Sequence, residues 1–203
     1  MSAKLGHHGD MHIPAVVYPA PIDLPWQTMP PSMATDGATV RGLLETDAKA
    51  LFALCAKEPV GRFLWPPPAT TQRFEAFIEW ARDQQLVGRQ VCFAIVAPDA
   101  TTPAGLIQVR QLDPHFVTAE WGFVVAEQYW GTGLFTAAAR LVVDFLFETV
   151  GVRRLEARTV VTNLRANGAL RKLGAVNEGR LRKGFRTGDR CYDQFLWSIL
   201  YED

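Results

Sequence analysis

A single α/β domain with about seven strands is the fold class this sequence predicts, and three observations predict it. Apolar runs of strand length alternate with apolar stripes at helical spacing. Their order is strand, two helices, three strands, helix, strand, helix, two strands, with no internal repeat. Two glycines, Gly131 and Gly133, stand where a strand hands over to a helix. The length of 203 residues and 48% hydrophobic content suit one globular domain with a tail.

Residues 1–37 read as a Pro-rich N-terminal arm, and the domain as 38–203. Pro14, Pro19, Pro21, Pro25, Pro30 and Pro31 forbid a long helix or a central strand there. Val16, Val17, Tyr18, Leu24 and Trp26 give the arm apolar side chains, so it is expected to drape over the domain or a neighbour. Ala38–Leu44 alternates in part and reads as the first strand. Thr46 or Asp47 caps a helix that turns Ala48, Leu51, Phe52 and Cys55 inward, and Pro59 ends it. Arg62 to Pro68 is a stiff aromatic loop. Thr70 or Thr71 caps a second helix, with Phe74, Phe77, Ile78 and Ala81 on one face and Gly88 as its stop.

Val91–Val96 and Ala104–Arg110 read as strands joined by the Pro98–Pro103 turn. Thr118–Val125 is the central strand. The helix after the glycines runs to about Thr149 on a stripe of Leu134, Ala137, Ala138, Leu141, Val142 and Phe145, and Gly151 stops it. Arg154–Val160 is a further strand. Leu164–Leu173 is a short helix with Gly174 as its left-handed cap and Arg171 and Lys172 at the negative end of its dipole. Ala175–Phe185 and Arg190–Tyr201 close the chain as two strands around Arg186–Asp189.

Composition narrows the function. Net charge is zero, which gives no broad electrostatic case for nucleic acid or an anionic membrane. No apolar run reaches about 18 residues without a charge or turn former, so no membrane span is expected. The first twelve residues lack the apolar segment of a secretory signal. Cys55, Cys92 and Cys191 are odd in number and widely spaced, which predicts three reduced core thiols and a cytoplasmic protein. His7, His8 and His12 read as solvated tail histidines, and no metal is expected.

The glycine turn is the stretch that carries chemistry. Glycines there let several backbone N–H groups point at one spot, and the helix N-terminus adds about half a positive charge. That describes a phosphate site. A P-loop is excluded, because no Lys-Ser or Lys-Thr follows. A dinucleotide fingerprint fits poorly, with Thr136 at its third glycine and Glu127–Trp130 between strand and turn. Glu156, at the distance of a ribose contact, keeps it open. A purely structural glycine turn also stays open. The remaining reading is Q-x-x-G-x-G, met by Gln128, Gly131 and Gly133.

With that pattern the sequence resembles the GNAT superfamily of acyl-CoA-dependent N-acetyltransferases, whose signature is [QR]-x-x-G-x-[GA] between a central strand and the main helix. The element order is similar too. Asn163 to Gly174, NLRANGALRKLG, resembles the family's second motif helix, and Arg190–Leu200 is similar to the last strand of the branch of ribosomal-protein N-terminal acetyltransferases. The likeness covers about Ala38 to Asp203. It implies a mixed, mostly antiparallel sheet splayed in the middle, with helices on both faces, and acetyl-CoA as co-substrate.

The resemblance also implies a site. The pantetheine arm of the carrier would lie against Phe123, Val124 and Val125. Its diphosphate would sit on amides of Gln128, Gly131, Thr132, Gly133, Leu134 and Phe135. Asn163 would bond the pantetheine, or cap its own helix, or both. A backbone N–H near Val124 would meet the charge developing on the acetyl oxygen. A neutral amine must attack the thioester, so a base is useful. Glu120 is the candidate, sharing a face with Gly122 and Val124 by strand alternation. Leu170 and Ala166 stand where many members carry a Tyr or Ser acid, and Tyr192 is a distant substitute. Arg62, Phe63, Trp65 and Pro66–Pro68 would line the acceptor groove or pack on the sheet. Tyr129 and Trp130 read as packing residues.

The expected partner is an amine acceptor, either a protein N-terminus or a small molecule. The arm and hairpin leave room for a homodimer. An acyl-CoA-binding sensor or scaffold without turnover is the competing class, favoured by the missing Tyr and Ser.

Overall fold

The computed structural model describes residues 26–64 and 67–203. Around one sheet are arranged, in chain order, β1 (Met33–Thr35), β2 (Ala38–Gly42), α1 (Ala48–Cys55), α2 (Glu58–Gly61), α3 (Thr71–Leu86), β3 (Gln90–Val96), β4 (Pro103–Gln111), β5 (Thr118–Val125), α4 (Leu134–Asp144), β6 (Arg154–Val160), α5 (Leu164–Lys172), β7 (Val176–Thr187) and β8 (Arg190–Leu200). The strand order is β1-β2-β3-β4-β5-β6-β8-β7. Every neighbouring pair is antiparallel except β5–β6, which α4 joins as a parallel crossover.

Helices cover both faces. α4 and α5 pack on one, over Phe93, Ile95, Ile107, Trp121 and Leu155, with Leu170 of α5 turned into that core. α1 and α3 pack on the other, over Cys92, Ala94, Val96 and Val124. Strand β3 is buried at every position, which explains its unbroken apolar run. Beyond β5 the second face changes character: β6 and β7 carry Arg154, Glu156, Arg158 and Glu178 there, joined as ion pairs. Alternation decides this, because Glu156 stands opposite Glu120 and Glu120 shares its face with Val124.

Three local outcomes differ from the sequence reading, and a fourth, the anchored end of the arm, agrees with its draping over the domain. The sheet has eight strands rather than seven, because Met33–Thr35 in the arm adds an edge strand on β2, a place that Pro30 and Pro31 just before it permit. The end of the arm is anchored. Trp26 is buried edge-on to Phe116 at 5.5 Å, and the Gln85 side chain on α3 donates to the carbonyls of Trp26 and Gln27 at 2.9 and 3.2 Å. Pro59 starts the short α2 instead of only ending α1, since its missing N–H costs nothing in a first turn. Only two cysteines are core thiols: Cys55 and Cys92 are buried and Cys191 is exposed. His7, His8 and His12 lie outside the described residues. Among the described residues no helix is long and apolar enough to cross a membrane, and no group of side chains is arranged to hold a metal ion.

Candidate active site

Strands β5 and β6 stay together for three residue pairs only: Thr118 with Arg154, Ala119 with Leu155 and Glu120 with Glu156. Past that point β6 continues beside β8 and β5 continues beside β4, so the two halves of the sheet part. The register fixes which backbone groups are released. Ala126 donates to the Ala104 carbonyl at 2.8 Å, so Val124 and Gly122 bond toward β4 by alternation. The backbones of Trp121, Phe123 and Val125 therefore face the gap. The indole of Trp130 takes the Val125 carbonyl at 2.9 Å. The N–H groups of Phe123 and Val125, rather than that of Val124, are the donors turned into the cleft. The cleft encloses about 1210 Å³.

At its end lies the glycine turn. Gly131 and Gly133 have φ of +77° and +91°, in the left-handed region that side chains resist. Among the described residues no atom beyond the chain neighbours lies within 4 Å of where a Cβ would stand on either, so both glycines open onto free space. Thr132 braces the turn from inside: its hydroxyl donates to the Tyr129 carbonyl at 2.9 Å and accepts from the Leu134 N–H at 3.4 Å. Its own N–H is spent on Tyr129 at 3.4 Å, and Ala137 makes the first intrahelical bond, to Gly133, at 3.0 Å. The amides left without an acceptor in the described chain at this helix start are those of Gly131, Gly133, Phe135 and Thr136. They suit an anion at a helix N-terminus.

The far wall is α5. Asn163 caps it, accepting from the Ala166 N–H at 3.2 Å, which leaves its amide NH₂ free toward the cleft. Asn167 fixes the helix to the sheet. Its NH₂ donates to the carbonyls of Val160 and Val161 at 3.2 and 3.1 Å, and its oxygen accepts from Trp197 Nε1 at 3.1 Å and from the Thr159 hydroxyl. Arg165 lies over the Trp130 ring at 4.0 Å, spanning from α5 to the glycine turn.

The other end of the cleft is charged. Arg110 and Arg158 hold the two oxygens of Glu120, the second at 2.7 Å. Arg158 continues to Glu156 at 3.4 Å, Arg154 pairs with Glu156 at 2.8 Å, and Arg154 also forks onto Glu178. The hydrogen bonds from Arg154 and then from Ser198 pull the Glu178 carboxyl down to about 2. Beside Glu120, Gly122 leaves open space over β5, with no atom of the described residues beyond its chain neighbours within 4 Å of a would-be Cβ. Pro59, Val60, Phe63 and Leu64 wall that space, with Phe185 and Gln194 from the β7–β8 hairpin.

Glu120, Phe123, Val124, Val125, Gly131, Gly133, Phe135 and Asn163 all line this one cleft. Gln128, Thr132 and Leu134 do not line it; the Thr132 N–H turns back to the Tyr129 carbonyl and the Leu134 N–H to the Thr132 hydroxyl. Arg62 and Tyr192 also stand off the wall, Arg62 lying 5.4 Å over Phe63 and Tyr192 6.3 Å from Phe185. Trp65 lies outside the described residues. Arg110, Thr136, Arg158 and Asn167 were not singled out in the sequence. Asn167 left a trace there, as a polar residue three before the apolar Leu170 on a short amphipathic helix. Arg110 and Arg158 are ordinary strand arginines until the register places them beside Glu120.

Known proteins resemble this chain in sequence and fold. The acetyltransferase (GNAT) domain family matches residues 38–176. The uncharacterized N-acetyltransferase p20 of Bacillus licheniformis is 24% identical over 83% of this chain and 96% of its own. Spermidine N(1)-acetyltransferase of Escherichia coli is 27% identical over 72% of this chain and 76% of its own. The solved ribosomal-protein-S5-alanine acetyltransferase from Vibrio fischeri has the same fold, with a TM-score of 0.75 at 18% identity, covering 85% of this chain and 98% of that one.

Proposed function

The chain belongs to the GNAT acetyltransferase family, and on that premise we propose that its cleft takes acetyl-CoA along the freed edge of β5 and passes the acetyl group directly to a primary amine entering over Gly122. Acetyl-CoA supplies an activated thioester carbonyl. The amides of Gly131, Gly133, Phe135 and Thr136 hold its diphosphate at the start of α4. The N–H groups of Phe123 and Val125 and the amide of Asn163 orient the pantetheine arm. One of the two β5 donors also faces the carbonyl oxygen as negative charge builds there.

Glu120 is the proton acceptor nearest the open slot, acting directly or through water on the incoming amine. The new C–N bond forms as the C–S bond breaks. Leu170 and Ala166 carry no proton to give, so the leaving sulfur takes one from water. The acceptor is a protein N-terminal amine or a small-molecule amine. Three unpaired thiols support a reducing cytoplasm as the setting.

One observation carries this reading: the sheet parts immediately after Glu120, along a cleft that ends at a glycine turn where the amides of Gly131, Gly133, Phe135 and Thr136 have no acceptor among the described residues. Calorimetry with acetyl-CoA, followed by thiol release over a panel of amines, tests it. The expected result is tight binding and release with at least one amine. A second reading follows from Glu120, whose two oxygens are both held by guanidiniums: an acyl-CoA-binding module without turnover. It predicts binding with no release for any amine.

A further inference from the structure

Arg110, Glu120 and Arg158 form one charged group on the cleft wall, from β4, β5 and β6; the other charged residues lining the cleft among the described residues, Arg165 and Lys172, stand on α5. Exposure within the group is unequal. The Glu120 side chain is 15% exposed, while Arg110 and Arg158 are 49% and 32% exposed. An arriving molecule therefore meets two guanidiniums, with the carboxylate beneath them. Among the described residues Arg110 pairs with Glu120 alone, and its remaining N–H groups are open to a second acceptor. The apolar wall of Pro59, Val60, Phe63 and Leu64 adds no compensating negative charge.

Such a mouth repels a molecule that carries several positive charges and suits one that brings an anion beside its amine. From the proposed N-acetyltransferase reading, on which this rests, we propose that the acceptor is a primary amine bearing a carboxylate or phosphate a short distance away, and that Arg110 and Arg158 bind that anion. The spacing follows from the strand. Glu120 lies four residues from Val124, about 13 Å at strand rise, and an arginine reaches back over part of that length. The anion then falls within the first few residues of an extended peptide, or at the far end of a short amino acid. Engaging the guanidiniums also draws them off Glu120, whose oxygens are then free to take the proton from the amine. Recognition of the anion and release of the base become one event.

The test is a comparison of kcat/KM by thiol release with acetyl-CoA. The acceptors are three peptides that differ only at positions 2 and 3 (Asp-Glu, Gln-Asn or Lys-Lys), free glutamate and spermidine. The acidic peptide or glutamate is expected to exceed the amide peptide by about tenfold and the lysine peptide and spermidine by about 100-fold, as like charge at the mouth excludes the latter. Preference for the peptide over glutamate identifies a polypeptide acceptor, and the reverse a small one; either supports the anion site. Arg110→Glu should cut the preference for the acidic acceptor at least about tenfold while leaving acetyl-CoA affinity by calorimetry unchanged. Arg110→Gln should give the same direction with a smaller change. Turnover of spermidine or the lysine peptide at an equal or higher rate overturns the anion site and leaves the acetyltransferase reading standing. Acetyl-CoA binding without release from any acceptor overturns both.

Discussion

Glu120 and Glu156 stand opposite each other in the last aligned pair between β5 and β6, two carboxylates at the point where the sheet divides. Like charges directly across a strand pair repel. Arg158 resolves the conflict by reaching both, at 2.7 and 3.4 Å. Each carboxylate has a second cation, Arg110 for Glu120 and Arg154 for Glu156. The fork of the cleft is thus held by an alternating row of charge.

Arg158→Met should therefore cost more than an ordinary exposed ion pair. Removing it leaves two facing carboxylates with one cation each, and about 1 kcal/mol of lost stability is expected. Glu156→Gln in the same chain should restore part of that loss. Urea unfolding of the two single variants and the double variant measures the coupling, and additive losses would mean that Arg158 does not mediate between the carboxylates.

Gly131→Glu places a carboxylate where an anion is expected and an L side chain where φ is +77°. Backbone strain of about 1–2 kcal/mol lowers stability without removing the fold. Acetyl-CoA affinity should fall about 100-fold, the loss of one or two charged hydrogen bonds. Gly131→Asn, which tolerates the left-handed conformation, should keep much more of the affinity. Equal affinities of wild type and Gly131→Glu in calorimetry would remove the phosphates from this turn.

These two sites differ in how they show in the sequence. Gly131 and Gly133 were legible because a glycine at a strand-to-helix junction has a local meaning, set by φ and by the helix dipole. The element order was legible for the same reason: caps at Thr70 and Asn163 and stops at Gly88, Gly151 and Gly174 act within a few residues. The Arg110–Glu120–Arg158 group was not, because it joins three strands whose register only the folded sheet defines. The choice of Phe123 and Val125 over Val124 as donors toward the cleft likewise depends on which residues of β4 lie alongside. Phe63 stands on the wall as one of the loop aromatics expected there, while Leu64, Phe185 and Gln194 take the places of Arg62 and Tyr192 through the turn of one short helix and one hairpin.

Glu120→Gln keeps the shape of the slot and removes the carboxylate proposed as proton acceptor. General-base catalysis is worth about 10² or more, so kcat should fall by that order near pH 7. The defect should shrink above about pH 8, where more of the amine is already neutral. Acetyl-CoA affinity should not change. A pH–rate profile that superimposes on wild type would take Glu120 out of the mechanism.

Glu178 gives the chain an acid-sensitive bond. Its folded carboxyl titrates at about 2, against an ordinary value of 4.5, because Arg154 and Ser198 bond the charged form. A depressed folded value means that the stabilisation is complete above about pH 4.5 and is lost as pH falls toward 2. Partial exposure of both side chains keeps the effect modest. The melting temperature should drop between pH 4.5 and pH 2, and Arg154→Met should flatten that drop. An unchanged slope in the variant would show that the pair contributes nothing to acid stability.

Asn167 links stability to the shape of the cleft. It is 5% exposed and joins α5 to the end of β6 and, through Trp197, to β8. Asn167→Ala strands the carbonyl of Val161, leaves that of Val160 with the Asn163 N–H alone and leaves the Trp197 indole with Thr159 alone, so a loss of about 2 kcal/mol is expected, mostly desolvation without a partner. A purely structural role would end there. Because Asn167 also sets where Asn163 and the α5 wall stand relative to the freed edge of β5, KM for acetyl-CoA should rise while kcat with saturating acetyl-CoA changes little. Asn167→Asp keeps the acceptor oxygen for Trp197 and Thr159 but loses the two donations to β6, so it should show the KM defect as well. Measured well below both variants' melting temperatures, a normal KM in each would confine Asn167 to holding the fold.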